Sequence, residues 1–519
     1  MRFFHRLFRW ANRHLKQADD SAQKGLDLMQ ERGMLSTAIT QNIESLNSIF
    51  NDTPDLVVRT FLYKQTGSQA ALVYLSGLTD KNAINNNVLH QLMFYTVDED
   101  QGELPVTLGS MEMMHSWERA MTAILQGNCF LFIDGFSHGY SLETQGWPQR
   151  AITDSQIEAS LKGAHQGFIE TSNQNIALIR RYITSRELKI RELYIGRRAK
   201  SKISILYIED ITLPELLQEM VNRITKLDID CILNTGELVE YIEDNPFSLF
   251  PQMITTERPD TAASQLLQGR ICVVVDRSSS VLIAPVSLVA FFQGIDDYST
   301  RWPVATFLRL LRFLACFVAA FLPGIYIACI SFNHELIPLD LILSVGEFRA
   351  AVPYPPLIEA LLMELMLEML REAGIRLPSP IGQTVGIVGG IVIGQAAVQA
   401  GIVSNIMVVI VASTAVASFI LPNYDMASAI RLVRFPVMII ASLFGIIGII
   451  AGFMILIAQV INLKSLGESF SSPIAPVRLS DWKDVFIRVP LWKMVMRPKS
   501  VRSLQKKKMS SNRPKGDEQ

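Results

Sequence analysis

Along residues 71–92 the chain reads "ALVYLSGLTDKNAINNNVLHQL", an apolar run, a polar turn and then apolar positions at helical spacing. Residues 204–224, "SILYIEDITLPELLQEMVNRI", repeat that order. Both stretches predict a strand, a turn and a helix. Tyr74 aligns with Tyr207 and Thr79 with Thr212 at an offset of 133. A second pair, "AILQGNCFLFIDG" and "QLLQGRICVVVDR", aligns Leu125-Gln126-Gly127 with Leu267-Gln268-Gly269 and Asp134 with Asp276 at an offset of 142. Two matches in the same order at similar offsets are what a tandem duplication with a short insertion leaves. Chance similarity of a common strand–turn–helix pattern is the other reading. In the later copy, Ile271–Val275 and Val281–Ala284 predict two strands joined by the polar turn Arg277–Ser280. Two basic clusters, Arg180-Arg181 and Arg197-Arg198-Ala199-Lys200, are read as flanking a helix over "ELKIRELYI". They fit either a contact with a neighbouring subunit or lipid, or a solvated face.

Past residue 300 the pattern changes. Phe313–Asn333, Leu377–Tyr424 and Phe435–Leu463 carry no charged residue. A bilayer core takes about 20 apolar helical residues. The first and third stretches each suffice for one span, and the second for two short spans joined at Gly401–Asn405. Arg301, Trp302, Arg309 and Arg312 precede the first span and favour a cytoplasmic start. The tail, with Arg497, Lys499, Arg502, Lys506, Lys507, Lys508, Arg513 and Lys515, favours the same side. The expected fold is thus a soluble half of two tandem α/β modules followed by an α-helical polytopic membrane domain. The segments run as a basic N-terminal helix over 1–30, modules over 31–160 and 161–300, four to six membrane segments over 301–465, and a basic cytoplasmic tail over 466–519. Both termini on one side demand an even number of crossings. Counting the acidic helix "PLIEALLMELMLEMLREAG" gives five, so one segment is miscounted. The acidic helix stops short of crossing, or "LIPLDLILSV" dips into the membrane.

Within the membrane half, Pro323-Gly324 predicts a kink or hinge in the first span. Gly386, Gly390 and Gly394, and again Gly448 and Gly452, have the four-residue spacing of closely packed membrane helices. In the acidic helix Glu364, Glu368 and Glu372 form one stripe, with Glu359 elsewhere on the helix. A carboxylate at the bilayer centre costs about 2.5 kcal/mol or more, so it faces protein or water. The four glutamates are therefore candidates for a cation path, as acidic rings are in oligomeric channels. The competing reading is structural: Glu372 near Arg371 and Arg376 at an interface, and Glu364 or Glu368 protonated or paired within the bundle.

Composition adds limits. The 519 residues are 49% hydrophobic and 19% charged, with net charge −1, and the average conceals the split between halves. Five scattered cysteines form no CxxC and no His/Cys cluster, so no metal site and no disulfide is expected. No GxGxxG, GxxxxGK[ST], HExxH or GxSxG occurs, so no cofactor and no enzymatic activity is expected. Basic residues do not interleave with aromatics as nucleic-acid binding requires. At the N-terminus, Arg2, Arg6, Arg9, Arg13 and Lys16 share a helical face. That face fits an interfacial helix on anionic lipid, or a solvated, frayed start. No inverted repeat of the transporter kind relates parts of the membrane half.

Long stretches resemble the A subunits of endospore germinant receptors of the GerA type. They include "TERPD" (Thr256–Asp260), "FLRLLRF" (Phe307–Phe313), "EALLMELMLEMLREAGIRLP" (Glu359–Pro378), "GQAAVQAGIVS" (Gly394–Ser404) and "RLVRFPVMIIAS" (Arg431–Ser442). "GFIETSNQNIALIRR" (Gly167–Arg181), "GRRAKSKI" (Gly196–Ile203) and "DWKDVFIRVPLWKMVMRP" (Asp481–Pro498) are similar too. The chain departs from the family at Asp154-Ser155, at Lys162-Gly163-Ala164 and at Ala199-Lys200-Ser201, all in the soluble half. The resemblance implies a subunit of a spore inner-membrane complex with a transporter-like B subunit and a lipoprotein C subunit. It further implies a homo-oligomeric ring with a membrane pore, nutrient binding by the B subunit and early release of monovalent cations in germination. A sporulation-stage paralogue that amplifies ion release without its own nutrient, and a solute or ion transporter, are the alternatives.

Overall fold

The apolar runs of the first 300 residues become strands because neighbouring runs pair, and Cys129–Ile133, Ile271–Val275 and Val281–Ala284 are buried on both faces. In the computed structural model, which describes residues 33–96, 104–146, 158, 163, 165–377, 390, 392 and 394–510, the chain divides into two bodies. One comprises residues up to 243, 253–286 and 494 onward; the other comprises 244–252 and 287–493. The basic N-terminal helix, Asp154-Ser155, Lys162, Ala164, Gly386, Arg513 and Lys515 lie outside the described residues.

The first body holds two modules. The first runs α1 (Ile39–Ile49), β1 (Leu56–Leu62), β2 (Gln69–Leu75), a helical stretch α2 (81–94), β3 (Met111–Met114), α3 (Trp117–Leu125), β4 (Cys129–Ile133) and β5 (Gly139–Leu142). The second runs α4 (Ser172–Tyr182), β6 (Leu188–Ile195), β7 (Ser201–Ile208), α5 (Pro214–Thr225), α6 (Thr235–Ile242), β8 (Ile254–Thr256), α7 (Pro259–Leu266), β9 (Ile271–Val275) and β10 (Val281–Ala284). Both sheets are antiparallel throughout and have the same strand order, β1-β2-β4-β5-β3 and β6-β7-β9-β10-β8.

The repeated residues perform the same tasks twice. Asp134 accepts from the Ile39 N–H at 3.0 Å and so caps α1, and Asp276 accepts from the Ser172 N–H at 3.2 Å and caps α4. Gly127 and Gly269 both have positive φ, and a Cβ there would press on the carbonyl of Leu78 or Ile211. Asn42 and Asn175, which share the 133 offset, each clasp the backbone six residues upstream from both ends of the amide. The modules meet where Arg180 makes two bonds to Asp55, at 2.6 and 2.9 Å, and the Ile190 N–H donates to the Asp52 carbonyl.

"ELKIRELYI" is a strand, β6, and not a helix: Leu188 to Ile195 pair residue by residue with β7. Its apolar positions fit either period over so short a run, and the ladder decides. Part of the basic tail packs on the second module, where Arg497 donates to the Leu267 carbonyl and the Leu504 N–H to the Ile211 carbonyl.

The second body is helical: α8 (Trp302–Ser331), α9 (Leu339–Ala350), α10 (Pro356–Arg376), α11 (Gly394–Gln399), α12 (Asn405–Phe419) and α13 (Tyr424–Asn462). Two of these, α8 and α13, are long and apolar enough to cross a membrane. The last is bent back on itself. Gly445 has φ 60 and ψ −143, and a Cβ at Gly448 would lie 2.6 Å from the Ile440 carbonyl oxygen. Met426 and Ile461 line one cavity of about 380 Å³, whereas a straight helix would hold them about 52 Å apart. The helix that contains the stretch read as one span, Phe435–Leu463, is therefore a hairpin whose arms, 424–444 and 446–462, are about 31 and 26 Å long. The Asn333 side chain receives the Ile446 N–H at the break.

Candidate functional site

The acidic stretch folds as α10 because Pro356 opens it with no N–H to waste and Leu, Met and Glu favour helix. Its carboxylates form a gradient. Glu359 is 0% exposed and Glu364 1%, while the side chains of Glu368 and Glu372 are 30% and 62% exposed. Each has its own partner. Glu359 accepts both the N–H and the O–H of Ser404, the residue that caps α12. Glu364 pairs with Arg434 and accepts from the Thr414 hydroxyl at 3.3 Å. Glu368 is shared by Arg371 at 3.1 Å and Arg431 at 3.4 Å. Glu372 pairs on the surface with Arg376 at 2.6 Å. The structure thus brings Glu364 and Glu368 into one cluster with three arginines and places Glu359 and Glu372 apart from it.

The proline in the first span has a definite effect here. Pro323 has no N–H for the carbonyl four residues back, at Ala319. That carbonyl accepts from Arg434 Nε at 2.7 Å. A buried guanidinium is thereby held by α8, α10 and its own helix around one proline-freed acceptor. The helix runs unbroken through Pro323-Gly324, and at Gly324 a Cβ would meet Val437 at 2.9 Å. Gly390, Gly394 and Gly452 have open space where a Cβ would stand, and Gly448 packs inside the hairpin.

Arg431, Arg434, Ser404 and Thr414 escaped the sequence reading. The available signal was the motif "RLVRFP": two arginines at (i, i+3), just ahead of an uncharged run, complement an acidic stripe elsewhere among apolar segments.

A second network anchors the start of α8. Arg309 bonds Asp297 at 2.9 Å and Asp484 at 2.7 Å, Arg312 bonds Asp297 at 2.8 Å, and the Tyr298 hydroxyl donates to Asp484 at 2.8 Å. Burial, and then the Asp484 carboxylate, push the Tyr298 hydroxyl above the usual phenol range. Asp297 and Arg309 are fully buried, so this network fixes the 481–488 segment to the first turns of α8. Among the described residues no group of three or more His, Cys, Asp or Glu side chains could hold a metal ion.

Residues 44–500 match the family described as Bacillus/Clostridium GerA spore germination protein. The chain is 38% identical over 480 residues to the uncharacterized membrane protein YfkQ of Bacillus subtilis, covering 92% of this chain and 93% of the relative. It is also 38% identical to spore germination protein KA of the same organism, over 90% of this chain and 87% of the relative. Spore germination protein GerLA of Bacillus cereus is 36% identical over 89% and 94%. Among solved structures, the N-terminal domain of the A subunit of the Bacillus megaterium spore germinant receptor GerK3 is 27% identical. That match has a TM-score of 0.38 and covers 49% of this chain and 96% of that one. This chain belongs to the GerA family of spore germination proteins.

Proposed function

We propose that this chain is the membrane subunit of a nutrient germinant receptor and that copies of it form a cation path opened when nutrient binds the complex. Its partners are a transporter-like B subunit and a lipoprotein C subunit. The observation that carries the reading is the cluster on α10, where Glu364 and Glu368 sit among apolar helices and are held by Arg371, Arg431 and Arg434. Three guanidinium groups against two carboxylates leave the cluster locally positive, which repels cations. A shift of the first arm of α13 away from α10 withdraws two of the three arginines and presents the carboxylates to a passing ion. Nutrient favours that state only by binding the complex more tightly in it. Counting the hairpin at Gly445 as two crossings supports six in all and both termini on one side, and the basic flanks favour the cytoplasmic one. The soluble modules then hold neighbouring copies together on that side. The test is nutrient-triggered potassium release from spores carrying Glu368→Gln. A fall in rate or a change in ion preference at normal protein level supports the path, and unchanged release at normal level rejects it.

A further inference from the structure

The arginine cluster has more donors than the carboxylates consume. Arg371 Nε and Arg434 Nη2 are buried and donate to nothing among the described residues, and Arg434 is only 2% exposed. Buried N–H groups of a cation are costly to leave unpaired. The three guanidinium groups lie within electrostatic reach of one another, and they donate to Glu364, Glu368, the Ser418 and Ser428 hydroxyls and the Ala319 carbonyl. The cluster is also reachable. The Arg371 and Arg431 side chains are 14% and 12% exposed. Arg371 lies over the Phe419 ring at 5.0 Å and Arg431 over the Tyr424 ring at 5.8 Å. Both aromatic residues are exposed at the helix ends. Arg371 sits about 8 Å from the Arg376 end of α10 and Arg431 about 10 Å from the Tyr424 end of α13, within the reach of an arginine stem toward an interface.

We infer that Arg371, Arg431 and Arg434 form a binding site for a phosphate-class anion. Planar, forked guanidinium groups suit tetrahedral oxyanions, and aromatic rings beneath two of them hold the forks in place. The phosphate of an anionic lipid headgroup or free phosphate can supply this chemistry. An anion on the spare donors shares the positive charge of Arg371 and Arg431 with Glu368 and repels its carboxylate. Binding therefore loosens the clamp on the carboxylate, and on the ion-path reading of the cluster this favours the open state. The binding itself does not depend on that reading.

The test uses the purified full-length protein in nanodiscs, with phosphatidylglycerol binding in a phosphatidylcholine background measured by a spin-labelled lipid. Arg371→Gln with Arg431→Gln should weaken phosphatidylglycerol binding about a hundredfold, the effect of two charge-assisted bonds. Arg376→Gln, exposed at the same helix end, should lose no more than about fivefold, the effect of one surface arginine. Glu368→Gln removes the competitor and should tighten binding about tenfold. This gain keeps the test decisive where the arginine variants fail to fold. Inorganic phosphate added to phosphatidylcholine nanodiscs separates the sources. Displacement of the labelled lipid at millimolar phosphate marks a free-anion site, and retention marks a headgroup site. An arginine double variant no weaker than Arg376→Gln, or a Glu368→Gln variant that binds no tighter, overturns the proposal. Either failure leaves the potassium-release test of the ion path standing.

Discussion

Replacing Glu364 with glutamine strips the charge from half of an ion pair whose side chains are 1% and 2% exposed. Arg434 then keeps only the Ala319 carbonyl and neutral contacts around a buried positive charge. Removing one partner of a buried pair costs about 3–5 kcal/mol, which raises the unfolding equilibrium by about two to three and a half powers of ten. Removing both charges is different. Glu364→Met with Arg434→Met loses the bond to Ala319, at about 1–3 kcal/mol, and gains about 1–4 kcal/mol from two desolvated charges that no longer exist. The double variant should thus lie near wild type. The assay is chemical denaturation of the full-length protein in detergent, followed by tryptophan fluorescence. A single variant within about 0.5 kcal/mol of wild type, the size of an ordinary surface change, would refute the pairing. So would a double variant that falls as far as the single one. The same pair separates structure from conduction: if Glu364 serves only packing, the double variant restores potassium release along with stability.

The hairpin predicts that cysteines at Met426 and Ile461, in a cysteine-free background, join through a short bis-maleimide within one chain; a straight helix forbids that product. Burial pushes the Glu158 carboxyl up from 4.5 to about 7, partly offset by the Thr256 hydroxyl and by Arg258. The folded state therefore holds a proton that the unfolded state has released, so stability falls as pH rises from about 4.5 through 7 and levels off above, a difference of about 3 kcal/mol. Glu158→Gln should flatten that profile in thermal unfolding between pH 4 and 8. Arg180→Met removes the clamp on Asp55 and should cost up to about 3 kcal/mol; limited proteolysis should then cut between the two modules sooner than in wild type.

The modules were legible in the sequence wherever a local pattern decided the structure. Ile271–Val275 and Val281–Ala284 are β9 and β10 at the boundaries their composition suggests. The residues aligned by the repeat, Asp134 with Asp276 and Gly127 with Gly269, are the caps and turns that the two sheets share. β6 reads as helix in the sequence because eight residues with five apolar positions fit either period until a partner strand fixes one. The reversal at Gly445 was hidden for a related reason. A glycine inside an apolar run is ordinary in a membrane helix, and only the return of Ile461 to Met426 shows that this one turns the chain. The acidic stripe was visible, but its partners come from segments as far as 70 residues away. Neither the link from Glu364 to Arg434 nor the use of the carbonyl freed by Pro323 has a local signature.

Whether the α10 carboxylates lie on the route of released cations is decided by nutrient-triggered potassium release from spores with all other receptors deleted, comparing wild type with Glu368→Gln and Glu364→Gln at subunit levels checked by blot. Glu368→Gln should release potassium more slowly, or with altered preference among monovalent cations, at wild-type protein level. Wild-type rate and wild-type ion preference at that level would contradict that route and assign the stripe to packing.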